Sequence, residues 1–557
     1  MAARSGRVEG ASLPSRWLFG SIPDLLFGCG VAYLAVFVGL AVAGPDVTLW
    51  LPASILPLLT VVAGGPHYGA TLLRAYERKE DRVKYRNVTV VATLGLALAF
   101  LLSLRLHLLG TLLVTLYLLW SPWHYSGQNY GLMLMFLGRR GISPPPILKR
   151  LIRASFVLSF LAVIVQLNGV NPSASYAPSV QAASSSPTAP AFTQLSLGIP
   201  ARAQSALFFG LVAAYLGTLG VALVALFRRG SVRDLLPALA ILMTQALWFS
   251  LPAIARQANL SFGLVPLDAD FAVYTFNYIA AAHGIQYVWV TLYFHRKTHA
   301  GSWMSFFYGK SMLAGQLLWG LPALVFAPIM IGSFSYSADV ALLVASTVNL
   351  HHFVLDGAIW RLRDDRVGRV LVKEAPMLPA PIGVSRRSWL TPIAFGTGAV
   401  FVVSQIVNAL EGHAFASSLA RREISRAEQA LDRLGLVASD QYDLRLELGM
   451  LARETGDLDM AVRAFERSAE LRPNPWAWYE KAHVHVQRAE WALAADSFEG
   501  AYALAPFPPS YVMEFVDALT RAGRPERALA VLDDGLAKYP QDPELASARR
   551  QLSSGAP

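Results

Sequence analysis

The chain has 557 residues, of which 54% are hydrophobic and only 15% charged, and its mean hydropathy is +0.42. That balance excludes an ordinary soluble globular protein, in which about 25% of residues are charged. The net charge of +10 is unevenly placed: from Ser417 on there are 17 Lys and Arg against 22 Asp and Glu, and before it 30 against 15. The basic excess sits in short loops beside apolar stretches, so it reads as membrane topology and calls for no nucleic acid. Cys29 is the single cysteine, which excludes an intrachain disulfide and a thiolate metal cluster.

A tail of residues 1–24 precedes the first apolar run, 25–43, which follows Arg4, Arg7 and Arg16 and reads as a retained signal anchor. Further stretches of about 20 apolar residues fall near 50–73, 88–105, 108–136, 151–169, 204–227, 234–254, 271–294, 311–333, 338–360 and 389–410. The expected fold is therefore all-α, a polytopic transmembrane helical bundle of about eleven spans over residues 25–410. Basic loops at 74–86, 138–153, 227–233, 294–297 and 361–373, the last joined by Arg386 and Arg387, follow every second span and lie on one side. The Ser-, Ala- and Pro-rich loop 170–203 lies on the other. The positive-inside rule then places the amino terminus in the cytoplasm and, with an odd number of spans, the carboxyl-terminal region outside. The expected location is a bacterial inner (plasma) membrane, with that region periplasmic.

Four of the spans carry histidine in otherwise apolar surroundings: GGPHYGATLLR at His67, WSPWHYSGQNYG at His124, AAHGIQYVWV at His283 and NLHHFVLDGAIWR at His351 and His352. Intramembrane imidazoles are costly, so several in separate spans suggest one shared site. All four spans run from outside to inside. Counted to the next basic residue at 1.5 Å per residue, His67, His352, His283 and His124 lie about 10, 14, 20 and 22 Å from the inner boundary. Helical bundles build metal sites from inward side chains on facing helices. The candidate ligands are His67, His124, His283, His352 and Asp356, with His351 pointing about 100° away from His352. Asn349, His352 and Asp356 share a helix face, as do His124 and Gln128, His283 with Gln286 and Tyr287, and His67 with Thr71 and Arg74. Gln128, Gln286 and Asn349 are candidates to orient the ligands, and no catalytic residue is assigned. His295 and His299 form HxxxH in a basic stretch, HRKTH, which reads as interfacial.

After a linker and degenerate half-repeat at 411–440, residues 442–542 repeat with a period of 33 to 34. Ala461, Ala494 and Ala528 correspond, as do Phe465, Phe498 and Leu532, and Pro473, Pro506 and Pro540 close the units. Leu448–Gly449 and Trp478 occupy large, small and aromatic positions. Ala427 and Leu431 lie one period earlier. This pattern resembles the tetratricopeptide repeat, with Lys481 and Val516 as departures. The resemblance covers 441–542 and implies a carboxyl-terminal α-solenoid that binds a protein partner, with 543–557 as a final helix and tail. His483 and His485 within it read as packed or solvated.

Imidazoles with one carboxylate and no thiolate suit a divalent metal, iron ahead of zinc or copper. A site in the cytoplasmic half of the bilayer suits a membrane lipid or lipid-like substrate entering from the bilayer. The histidine-rich spans, with HRKTH, are similar to integral-membrane metal oxygenases and desaturases, which implies an oxidoreductase. Two other readings stay open. One is an assembly or polymer-export factor, with haem as its cofactor and partners at the repeats. The other is a proton- or metal-coupled transporter using the same groups.

Overall fold

A computed structural model describes residues 15–43, 56–169, 192, 194–262, 269–299, 303–326, 338–373, 390–437, 439–505 and 508–553. Among them the regular elements are helices, with one isolated bridge between Gly169 and Ile199. Two compact units form, dividing between Gln405 and Ile406.

The first unit contains α1 (Ala32–Ala43), α2 (Gly65–Tyr76), α3 (Lys79–Ser103), α4 (His107–Arg139), α5 (Pro146–Leu167), α6 (Ala201–Phe227), α7 (Val232–Gln245), α8 (Leu251–Phe262), α9 (Ala269–Thr298), α10 (Met304–Phe326), α11 (Ala338–Ile359) and α12 (Asp365–Leu371). The long α13 (Leu390–Ala420) follows. Among the described residues, six helical segments are long and apolar enough to cross a membrane: Lys79–Ser103, Pro146–Leu167, Ala201–Phe227, Val232–Ala258, Leu342–Ile359 and Pro392–Ala420. A bent pair, Ser21–Gly28 with Ala32–Gly39, makes a seventh if counted as one span. This is fewer than the eleven expected, for two reasons. The predicted spans 50–73 and 311–333 run partly outside the described residues. α4 and α9, at 33 and 30 residues, are long enough, but Ser121, His124, Ser126, Gln128 and Asn129 dilute the one, and His283 and Gln286 the other. α3 and α6 turn large apolar side chains outward, among them Val91, Leu94 and Leu98, and Leu207, Leu216 and Val221. Such surfaces fit a lipid surrounding.

Small residues set the closest helix contact. A side chain at Gly69 would run into the Ser311 carbonyl, and one at Gly315 into the Gly65 carbonyl. Gly65 and Gly69 are four apart on α2, as are Ser311 and Gly315 on α10, the small-xxx-small spacing that lets backbones touch. Gly284 plays the same part for α9: a Cβ there would lie 3.1 Å from the Ala63 carbonyl oxygen and 3.5 Å from His67 Cβ. His67 and His283 are neighbours for that reason. A wide turn of π-helix, Thr60–Gly64, leads into α2 with Pro66 in its first turn, where a missing N–H costs nothing. Pro122 interrupts α4 two residues before His124.

The second unit is built of helix pairs: α15 (Tyr442–Thr455) with α16 (Leu458–Leu471), α17 (Pro475–Gln487) with α18 (Trp491–Leu504), and α19 (Pro509–Arg521) with α20 (Pro525–Lys538). α14 (Ile424–Gly435) precedes them and α21 (Pro543–Ser553) ends the series. The periodic positions are the core: Ala461, Ala494 and Ala528 are fully buried, and Phe465, Phe498 and Leu532 fill the space between paired helices. Gly449 is small because the Phe465 ring lies against it. Gly456, at φ 86, ends α15 in the left-handed conformation that favours glycine, and Asp457 caps α16 by accepting from Met460 N–H. Ion pairs between successive units repeat at similar spacing: Arg453 with Glu480 (2.9 Å), Arg488 with Asp459, and Arg524 with Asp496 (2.5 Å). Arg524–Asp496 is exposed on both sides and worth about 0–1 kcal/mol, while Arg453–Glu480 is half-buried. His485 is buried and bonded to Glu490 (2.7 Å), while His483 is half-exposed beside Glu514. Pro506 lies outside the described residues.

Candidate metal centre

His67 of α2, His124 of α4, His283 of α9 and His352 of α11 meet in one cluster. Each offers a ring nitrogen, and these four atoms lie within 4.8 Å of one another. The rings form a closed square: centroids are 4.8 Å apart for His67 and His283, 4.9 Å for His283 and His124, 5.1 Å for His124 and His352, and 4.2 Å for His352 and His67. Neighbouring planes are inclined at 66–75°, so edges face inward. His67, His283 and His352 are buried and His124 nearly so. The cluster could hold a metal ion. The four ring nitrogens are near enough to one another that one ion would be shared by His67, His124, His283 and His352.

The hydrogen bonding leaves the centre unsatisfied. Among the described residues, His67 Nδ1, His124 Nε2, both ring nitrogens of His283, and His352 Nε2 are buried without a hydrogen-bond partner. Each such group costs about 1–3 kcal/mol, and four on facing helices form a set that a cation satisfies together.

Asp356, one turn beyond His352, is held in place. Its Oδ1 accepts from Thr71 Oγ1 (3.0 Å) and Tyr287 OH (2.9 Å), and Tyr287 OH in turn accepts from Trp360 Nε1 (2.7 Å). Thr71 Oγ1 also lies 3.1 Å from His352 Nδ1. With the Thr71 hydrogen given to Asp356, the network assigns the imidazole hydrogen to Nδ1 and leaves the Nε2 lone pair free. That lone pair sits 3.1 Å from Asp356 Oδ2, outside hydrogen-bonding geometry, and His124 Nε2 is 3.7 Å from the same oxygen. Acceptors facing each other at this range call for a positive charge between them. Asp356 Oδ2 is thus placed to join the ligands or to balance the ion's charge.

Of the residues singled out in the sequence, His351 does not join the group: its Nε2 contacts Thr93 of α3 at 2.9 Å. Adjacent helical residues diverge by about 100°, and α11 has spent His352 on the centre. Gln128 donates to the His283 carbonyl (3.2 Å) and to Gln286 Oε1 (3.1 Å), so the two amides brace α4 against α9. Asn349 bonds Tyr68 OH (2.6 Å), whose ring packs 5.1 Å from His67 and 5.0 Å from His352. Two flat contacts hold the remaining rings, Phe353 stacked on His124 at 4.4 Å and Tyr125 tilted on His283 at 4.3 Å.

The different depths counted from the basic loops do not separate the histidines. α4 and α9 are about 50 and 45 Å long, more than the roughly 30 Å thickness of a hydrocarbon core, so the distance to the basic helix end does not measure a histidine's depth. Arg139 is itself buried, donating to the carbonyls of Ser15, Trp17 and Leu371. The sequence reading missed Trp360 as a partner of Tyr287. It also missed two buried carboxylates. Asp24 accepts from Trp289 Nε1 (2.9 Å), and Asp81 pairs with Arg74 (2.6 Å) and Arg366 (3.1 Å). No protein-family model matches the chain, and no curated protein is similar to it.

Proposed function

We propose that the chain is a multi-pass membrane metalloenzyme, an oxidoreductase acting on a lipid-like substrate, with iron bound by His67, His124, His283 and His352 and with Asp356 beside it. The observation that carries this reading is the convergence of four imidazoles with partnerless ring nitrogens and a clamped carboxylate among apolar helices. A nitrogen-rich set with one carboxylate and no thiolate suits iron, zinc or copper, and the proposed oxidoreductase chemistry needs a redox-active ion, for which iron is put first. A bound ion would supply Lewis-acid or redox chemistry. The chain's own part is to fix the imidazoles, hold the His352 hydrogen on Thr71 and keep water out. The spacing argues for an ion over haem: a macrocycle needs a slot between two axial imidazoles, and rings 4.2–5.1 Å apart leave none.

In the same proposal all eleven predicted segments cross a bacterial inner membrane, and the helix pairs of the second unit form a tetratricopeptide-like solenoid that docks a protein partner outside. The regular burial of its period-33 positions supports that part. The test is metal analysis of detergent-purified chain. About one iron per chain is expected, and His124→Ala combined with His352→Ala should remove nearly all of it. Metal content that survives the double substitution refutes the shared centre.

A further inference from the structure

Two helical turns along α2 from His67, α2 and α9 enclose a second pocket together with α3, α10 and α12, and its chemistry is different. Arg74, Arg78, Asp81, His295, His299 and Arg366 line it. Its charge does not balance. Asp81 alone serves both Arg74 and Arg366, so two guanidiniums share one carboxylate. The Nε atoms of both arginines are buried without a partner, and the Arg74 side chain is only 7% exposed. Glu77, the other acid at the pocket, is taken by Lys310. Arg78 meets only the exposed Glu80, at 3.4 Å. Burial, and then the Arg78 charge, lower the pKa of His299, so the ring stays neutral beside these cations. Surplus guanidinium with unused N–H groups is the chemistry of an oxyanion site.

The surroundings say what carries the oxyanion. Trp303 and Phe306, at the start of α10, are 79% and 70% exposed, and Phe307 beside them lines the pocket. Exposed aromatics at the end of a membrane helix mark the headgroup level, so the entrance faces lipid. Arg74 lies about 10 Å along α2 from His67. Trp360 spans the interval: its ring lies under Arg74 (5.8 Å) and its N–H reaches Tyr287 of the metal centre.

We propose that this pocket binds the oxyanionic head, a carboxylate or phosphate, of a single-chain amphiphile, the substrate class of the histidine centre. The substrate role rests on the metalloenzyme reading; the head-binding site does not. The test uses the full chain in nonionic detergent and measures dissociation constants for dodecyl phosphate, dodecanol and inorganic phosphate. Dodecyl phosphate should bind about tenfold or more tighter than either of the others, the range of a charge-assisted hydrogen bond. Arg78→Gln, a side chain at the rim, should weaken dodecyl phosphate about tenfold and leave dodecanol unchanged. Arg366→Gln gives a second variant if the first misfolds. Dodecanol equal to dodecyl phosphate, or arginine variants that bind it as wild type does, overturns the site. Inorganic phosphate binding as tightly as dodecyl phosphate assigns the pocket to a free anion and overturns the amphiphile. The metal-free His124→Ala, His352→Ala protein should still bind dodecyl phosphate, so failure of the metal reading and failure of this one are read separately.

Discussion

Thr71 is the most informative residue to change. Its hydroxyl accepts from His352 Nδ1 (3.1 Å) and donates to Asp356 Oδ1 (3.0 Å), yet its oxygen is not one of the clustered ring ligands. Thr71→Val keeps the branched shape and removes both contacts, together with the 2.6 Å contact between Thr71 Oγ1 and Tyr287 OH. The His352 N–H is then buried without an acceptor, at a cost of about 1–3 kcal/mol, and the ring is free to turn or to change tautomer. Partners of this kind are worth about 10- to 100-fold in metal affinity, or about 1.4–2.7 kcal/mol. Competition with a calibrated chelator on the purified protein reads that difference directly. Thr71→Ser retains the hydroxyl and should stay within about threefold of wild type, well inside the loss expected for the valine. A valine variant that binds metal as tightly as wild type refutes the assignment of Thr71 as the group orienting His352.

Three further outcomes follow from the same geometry. His351→Ala, which removes only the Thr93 contact, should leave metal content at the wild-type level in elemental analysis. Asp81→Asn leaves Arg74 and Arg366 buried without their carboxylate and should destabilise the first unit by about 3–5 kcal/mol, read as a fall in melting temperature. Burial, then His299 and Lys310, push His295, just past its apolar span, down to about 3. The unfolded chain takes up a proton there below about pH 6.5 while the native chain does not, so this stability is present above that pH and lost on acidification. His295→Phe should therefore flatten the fall in melting temperature between about pH 7 and pH 5.

The sequence exposed the centre because polar residues stand out against apolar ones. His67, His124, His283, His352 and Asp356 were all visible on that ground, and the helical angle already set His351 apart from His352. Thr71 and Tyr287 were visible as face-mates of histidines, but not as the two donors to Asp356, since that contact joins three helices distant in sequence. Asp81 and Arg139 were misjudged for the opposite reason. They lie in stretches rich in charge, which read as solvated loops, and burial is decided by what folds over a residue: Arg366 over Asp81, Leu371 over Arg139. The π-turn at Thr60–Gly64 gives no pattern of its own, because its residues suit an α-helix equally well. In the second unit the period carried the core positions directly, because each repeat buries the same positions against its neighbour.

The square of imidazoles also imposes an order in time. Its corners come from α2, α4, α9 and α11, so no pair adjacent in the chain can make a partial site early in synthesis. The binding set is complete only when the helix carrying His352 has docked beside the other three. An ion bound there would fasten four helices that hydrogen bonds, Gln128 with Gln286 and Thr71 and Tyr287 with Asp356, already tie together. Its loss would be felt at four distant points of the chain at once.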